Sequence, residues 1–256
     1  MENMNSCNNP FSLNGKTVLV TGASSGIGRA VAIACASMGG KILLNGRNIS
    51  NLQDTYKQLD GGGHVIVASD LSNQEGIDSL ISQCPKLDGI VHCAGIPKLC
   101  PIKHLTKDVL NEIININEIA PILLTAGLLK KKLINKGASI VFIASTAGVL
   151  MSGAVGDTDY SATKGALSGF MKTAVRELGP QQIRVNTICP AMVETPILQT
   201  ANSLLSKEEI ESKLRRYHIK RFGKPEDVAW AAVYLLSDVA EWITGVDLPV
   251  DGGCHL

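Results

Sequence analysis

A doubly wound α/β fold, with seven parallel strands covered by helices on both faces, is what three observations in the sequence predict. Short runs rich in Val and Ile recur along the chain, helix-like amphipathic segments lie between them, and no Pro-, Gly- or Ser-rich linker divides them. Strands that are apolar throughout are buried on both faces, and right-handed crossovers place helices above and below such a sheet.

The strands are expected at 17–20, 41–44, 64–68, 89–92, 139–144, 183–188 and 246–250. A helix is expected directly after the first strand, from Arg29 through Ala34, and another over 165–178, where the apolar positions follow a helical period. There is no repeat of fixed period and no low-complexity tract. One long segment, 195–222, falls outside the alternation; its KEEIESKLRRYHIK stretch reads as a polar helix inserted after the sixth strand. Ligands bind at the carboxyl ends of such strands, so this insertion is expected to act as a substrate lid.

The length of 256 residues suits one domain, expected over 13–256, behind a polar, Asn-rich extension over 1–12. With 45% hydrophobic residues the chain can bury a core without a disulfide or a structural metal. Lys and Arg number 24 against 23 Asp and Glu, and no basic stripe is present, so neither nucleic acid nor an anionic membrane is expected as partner. The densest basic run, Lys130, Lys131 and Lys132, reads as a solvated helix end. The seven cysteines are odd in number and irregularly spaced, and read as reduced thiols. No CxxC, HxxxH or HExxH spacing occurs, so no metal site is expected. The N-terminal stretch lacks the apolar core of a signal peptide, and a cytoplasmic location is expected.

After the first strand stands Thr21-Gly22-Ala23-Ser24-Ser25-Gly26-Ile27-Gly28, which runs straight into a helix. Glycines permit a tight turn and close backbone approach, and the N–H groups and dipole of the helix attract a pyrophosphate. Gly22, Ser24, Ser25, Gly26, Ile27 and Gly28 are therefore candidate dinucleotide contacts. An acid at the end of the second strand would bind the adenosine ribose and repel a 2′-phosphate, but the strand ends Leu44-Asn45-Gly46-Arg47-Asn48 and no acid appears before Asp54. Arg47 offers a permanently charged planar fork, so NADP(H) is the expected cofactor. Asp70, with Leu71 beside it, closes the third strand and suits the adenine amino group; a helix N-cap is the alternative role for Asp70.

Tyr160 and Lys164 are four residues apart at the start of the expected helix over 165–178, hence on one face of it. A phenol titrates near 10, and its use in proton transfer near neutrality asks for a lower value, which a lysine ammonium beside the phenolate supplies.

From Leu13 to Gly253 the chain resembles a single-domain short-chain dehydrogenase/reductase. The likeness rests on Thr21 through Gly28, on Tyr160 with Lys164, on a serine ending the fifth strand, and on Pro190-Ala191-Met192-Val193-Glu194-Thr195. The Arg221-Phe222-Gly223-Lys224-Pro225-Glu226-Asp227-Val228-Ala229 segment and the terminal Val250-Asp251-Gly252-Gly253 add to it. The resemblance implies a Rossmann-like sheet, a ketone substrate reduced by hydride transfer, no metal, and a homotetramer with the helices near 111–129 and 160–178 between subunits.

It also implies roles. Tyr160 resembles the general acid or base, Lys164 the residue that lowers its pKa and binds the nicotinamide ribose, and Ser145 the hydroxyl that holds the substrate carbonyl. Asn117 resembles the helix-kinking asparagine of a proton relay, with Asn115 as the alternative. Ala94 and Gly95 resemble the turn against the cofactor, and Pro190, Val193 and Thr195 the segment that holds the nicotinamide carboxamide.

Three departures stand out. His92-Cys93-Ala94-Gly95 replaces the usual Asn-Asn-Ala-Gly, Pro190-Ala191 replaces Pro-Gly, and the loop from Met151 through Asp159 is slightly long. A 3-oxoacyl-[acyl carrier protein] reductase is the alternative within this class, and a non-catalytic dinucleotide-binding regulator the alternative outside it. A free small ketone is the preferred substrate, because Asn135-Lys136-Gly137-Ala138 and Gly179-Pro180-Gln181-Gln182 carry one lysine where carrier-protein reductases tend to place arginines.

Overall fold

The computed structural model describes residues 9–151, 153–196, 198 and 206–256. Strands and helices alternate as β1 (Thr17–Thr21), α1 (Gly26–Ser37), β2 (Lys41–Gly46), α2 (Ile49–Tyr56), β3 (Val65–Ala68), α3 (Gln74–Gln83) and β4 (Leu87–His92). The chain continues through α4 (Lys107–Ile114), α5 (Ala120–Lys130), β5 (Ile134–Ile143), α6 (Thr158–Leu178), β6 (Arg184–Pro190), α7 (Lys207–Leu214), α8 (Pro225–Leu236) and β7 (Asp247–Val250). The expected seven strands form one parallel Rossmann-like sheet in the order β3-β2-β1-β4-β5-β6-β7.

The side-chain period of two sorts each strand between two cores. Val18 and Val20 of β1 face one way, with Ile42, Leu44, Val91 and Val141, onto Val31 of α1 and Val233 of α8. Leu19 faces the other way, with Leu43, Ile90 and Phe142, onto Leu80, Leu124 and Met171 of α3, α5 and α6. Each such burial stabilises the fold by roughly 1.5–3 kcal/mol. This explains why the strands read as unbroken apolar runs.

Order reverses between β1 and β4, whose neighbours run outward in opposite directions, and this leaves a crevice at the carboxyl ends of the two strands. β1 reaches it with Thr21, paired in register with His92 of β4. β5 begins earlier than expected, at Ile134, because a register shift between Leu87 and Gly89 takes up residues around Gly137, whose φ is +80°.

Between α4 and α5 the helix widens into a π segment, Asn115–Ile119. The continuous rod Lys107–Lys130 has the length and composition to cross a bilayer, but it packs on α3 and α6 and contributes Leu124 and Leu128 to the core. Lys130, Lys131 and Lys132 end it as exposed residues, Lys132 in the left-handed region at φ 55°.

Two expectations about helices change. α6 starts at Thr158, ahead of the expected Gly165, and carries Tyr160 and Lys164 on one face as expected. The helix in the insertion stops at Leu214, short of the expected Lys220, because Tyr217 turns inward and is buried while Arg215, Arg216 and His218 remain in solvent. The expected lid spans 195–222; its part over 199–205 and Ile197 lie outside the described residues, as do 1–8 of the expected N-terminal extension.

Candidate active site

The glycine turn after β1 is shaped by what its glycines exclude. Gly22 has φ +65°, and a Cβ there would meet the Ala94 backbone at 2.9 Å. Gly28 lets α1 pack on the strand end, since a Cβ would lie 2.3 Å from the Gly22 carbonyl oxygen. Gly26 has φ +52° and faces the Thr195 methyl group, 3.2 Å from where its Cβ would stand. Ser25 is the N-cap of α1 and makes no capping bond with its side chain, so the first-turn N–H groups are not claimed by it. Ser24 accepts the Arg29 guanidinium at 2.6 Å through its carbonyl, and Ile27 packs against the core beneath.

At the ends of β2 and β3, Arg47 and Asp70 face each other at 4.0 Å. Asp70 does not cap α3. Its other carboxylate oxygen accepts the Ser72 N–H at 3.0 Å, and the N-cap is Asn73, which accepts the Gly76 N–H at 2.9 Å. Leu71 is buried beside it.

Asn117, Ser145, Tyr160 and Lys164 converge at the carboxyl ends of β4 and β5. Asn117, at the centre of the π segment, is 1% exposed and pins the loop after β4: its Nδ2 donates to the Ile96 carbonyl at 2.9 Å and its Oδ1 accepts the Ile96 N–H at 2.8 Å. The hydrogen bonds to Ile96 come from Asn117 and not from Asn115, and the π segment lies where a helix-kinking asparagine is expected. Lys164 is buried and donates to the Ile143 carbonyl at 2.8 Å, with Nζ 5.6 Å from the centre of the Tyr160 ring. Gly95 closes the cluster, because a Cβ there would lie 3.2 Å from Asn117 Oδ1 and 3.5 Å from Lys164 Nζ.

Electrostatics depart from expectation here. Burial pushes the Tyr160 phenol up to about 12, against a hydrogen bond with Ser145 that pulls it down, and Asp157 adds to the rise. The chain's own groups thus keep the phenol protonated at neutral pH. Lys164 itself is pushed down to about 8 by the same burial.

On the far side of the crevice, Pro190 ends β6 and its carbonyl accepts the Thr146 N–H at 3.0 Å. Val193 bridges to Gly223, and Thr195 Oγ1 accepts the Leu198 N–H at 3.4 Å. Ala191 takes an ordinary backbone conformation, as replacement of glycine there requires.

The His92-Cys93 departure has a structural answer. His92 is buried, stacks on Phe142 with centroids 4.7 Å apart, and meets Thr125 Oγ1 at 3.0 Å. The Thr125 hydroxyl spends its proton on the Pro121 carbonyl, so His92 Nε2 is the donor. Burial pushes its pKa down to about 3. The following turn is held by Thr21, whose Oγ1 accepts both the Cys93 and Ala94 N–H groups at 3.1 Å. Sequence reasoning named Thr21 only as the start of the glycine turn, with no contact of its own, and passed over Tyr217, which sits in a stretch that reads as polar helix. Six cysteines, among the described residues, are free thiols, and no group of three metal-binding side chains occurs among these residues.

A family model described as enoyl-(acyl carrier protein) reductase matches residues 22–255. The chain is a short-chain dehydrogenase/reductase. Among its relatives are an uncharacterized oxidoreductase of Bacillus subtilis, 34% identical over 94% of this chain and 99% of that one. A 3-oxoacyl-[acyl-carrier-protein] reductase of Rickettsia felis is 33% identical over 94% of this chain and 97% of its own. Similar solved structures include an angucycline C-6 ketoreductase with bound NADP, at TM-score 0.86 and 25% identity, covering 95% of this chain and 97% of that one. A putative 2-deoxy-d-gluconate 3-dehydrogenase from Agrobacterium tumefaciens with bound NADP has TM-score 0.86 and 28% identity over 96% of this chain and 98% of its own. As a short-chain dehydrogenase/reductase the protein is an oxidoreductase, with the seven-stranded sheet of that family and the glycine turn at its topological switch point.

Proposed function

We propose that this short-chain dehydrogenase/reductase uses NADP(H) to reduce a ketone to a secondary alcohol, with Tyr160 as proton donor. The observation that carries the reading is the convergence of Asn117, Ser145, Tyr160 and Lys164 beside the glycine turn, with Lys164 Nζ 5.6 Å from the centre of the Tyr160 ring and bonded to the Ile143 carbonyl. The crevice fits a dinucleotide: a Cβ would fill the cradle at Gly22 and Gly26, and the N-terminus of α1 opens onto it. Gly22, Ser24, Ser25, Gly26, Ile27 and Gly28 would hold the pyrophosphate, Arg47, Asp70 and Leu71 the adenosine end, and Ala94, Gly95, Pro190, Val193 and Thr195 the nicotinamide end. When bound, the reduced cofactor supplies a hydride.

The chain's own groups then do the following. Ser145 and Tyr160 present two hydroxyls to one carbonyl oxygen, where charge develops as the carbon is reduced. Tyr160, protonated at neutral pH, gives its proton to that oxygen and is left as phenolate. Lys164, charged below about pH 8, stabilises this phenolate. Asn117 keeps Ile96 and the Gly95 turn in place. Two solved neighbours with bound NADP support the cofactor, and the ketoreductase among them supports the reaction.

Residues 13–256 act as one domain in this reading, and the assembly is a homotetramer. Half-exposed Ile119 and Leu123, on the rod from α4 to α5, support that surface as one between subunits. The test is NADPH oxidation, followed by its near-ultraviolet absorbance, over a panel of ketones and β-ketoacyl thioesters. Turnover of one of them is expected; binding of NADPH with no turnover across the panel would favour the non-catalytic regulator instead.

A further inference from the structure

Tyr217 lies in the basic stretch that follows α7, where its neighbours Arg215, Arg216 and His218 are exposed, yet it is only 4% exposed itself. Its hydroxyl accepts the Met192 N–H at 3.1 Å. Met192 stands one residue before Val193 and three before Thr195, in the turn that leaves β6. The Met192 carbonyl in turn accepts the Gly223 N–H at 3.0 Å, and the Gly223 carbonyl accepts the Glu194 N–H at 2.8 Å.

The tyrosine is fixed from its other sides. Phe222 meets its ring edge to face at 5.7 Å, the Gly252 backbone lies close enough that a Cβ there would touch the ring at 3.4 Å, and the Ile219 N–H donates to the Gly252 carbonyl at 3.0 Å. The C-terminal turn and the segment after α7 therefore meet at the Tyr217 ring, and the turn at 192–195 meets its hydroxyl oxygen.

We propose that Tyr217 is a positioning residue for the nicotinamide-side turn: its hydroxyl holds the Met192 N–H, and so sets where Val193 and Thr195 stand. This rests on the cofactor reading above. Tyr217→Phe keeps the ring packing and loses only the acceptor, so this substitution separates position from fold.

The experiment is titration calorimetry of the unmodified protein and Tyr217→Phe with NADPH and with ADP-ribose 2′-phosphate, which lacks only the nicotinamide. Loss of one acceptor for a part-buried N–H corresponds to about a tenfold weakening. Tyr217→Phe should bind NADPH about tenfold more weakly and ADP-ribose 2′-phosphate unchanged, with faster amide hydrogen exchange over 191–195 in the free protein. An unchanged NADPH affinity in Tyr217→Phe, or equal weakening of both ligands, would overturn this role alone. Binding of neither ligand by the unmodified protein would overturn the cofactor reading and this role with it.

Discussion

Arg47 and Asp70 face each other across the ends of β2 and β3, guanidinium nitrogen to carboxylate oxygen at 4.0 Å. Both side chains are well exposed, at 69% and 41%, so the pair contributes at most about 1 kcal/mol and holds Arg47 only loosely. The two residues read separately in the sequence as a phosphate ligand and an adenine ligand are thus electrostatic neighbours, and changing either one alters the other.

Cofactor choice follows from that pair. Arg47→Asp should replace attraction for a 2′-phosphate by repulsion and shift preference from NADPH to NADH by at least tenfold in kcat/KM. Asp70→Asn, which frees Arg47, should leave preference for NADPH intact or strengthen it. Equal kcat/KM for NADPH and NADH in the unmodified enzyme would refute the assignment.

Tyr160→Phe removes the proposed proton donor and leaves the glycine turn untouched. NADPH should still bind, while ketone reduction falls well below a tenth of the original rate. Retention of more than about a tenth would mean that the phenol lowers the barrier by less than about 1.4 kcal/mol and that another acid serves.

The alkaline limb of the rate should belong to Lys164. Its buried ammonium titrates near 8, below the ordinary lysine value, whereas the phenol remains protonated to about 12. The charge that stabilises the phenolate is therefore full below about pH 8 and lost above it. kcat/KM for NADPH, which reports groups on the free enzyme, should fall as pH rises through 8. Lys164→Arg, whose charge persists, should move that fall upward by more than one pH unit even if its maximum rate is low. A limb that stays near 8 in the arginine variant would assign the titration elsewhere.

His92 should make the fold sensitive to acid. Its folded pKa of about 3 lies below the unfolded 6.5, so between these values the unfolded chain binds a proton that the folded chain does not. Stability contributed by the neutral ring is complete above about pH 6.5 and declines as pH falls toward 3, by a total on the order of 5 kcal/mol. His92→Asn, with the residue usual in the family, should show a flatter dependence of Tm on pH across that range. Parallel Tm profiles for the two proteins would remove His92 from the account.

The substrate should be a free small ketone in preference to an acyl group on carrier protein. An acidic carrier needs cations at the mouth of the site. Asn135, in the segment where carrier-protein reductases tend to place arginines, lies at the amino end of β5, away from the crevice, and donates its amide to Asp88 at 2.7 Å. One β-ketoacyl group presented as carrier-protein thioester and as short free thioester should be reduced with similar efficiency. A carrier-protein form at least tenfold better, with an advantage that falls steeply as salt rises, would reverse this preference and match the naming of relatives such as the Rickettsia felis reductase.

Local patterns along the chain were enough to determine the sheet, the glycine turn and the Tyr160–Lys164 pair. Burial on both faces writes itself as unbroken apolar runs, a φ of +65° at Gly22 demands glycine, and four residues make one helical turn. Contacts between residues far apart in sequence left no such trace. Only the tertiary structure decided that Asn117, and not Asn115, points at Ile96, because a π segment rotates the helix there. It alone brought Arg47 to Asp70, turned Tyr217 out of an apparent polar helix to meet Met192, and seated His92 between Phe142 and Thr125. The rise in the phenol's pKa left no trace in the sequence for the same reason: the sequence names the lysine one turn away, whereas desolvation depends on everything that packs around the ring.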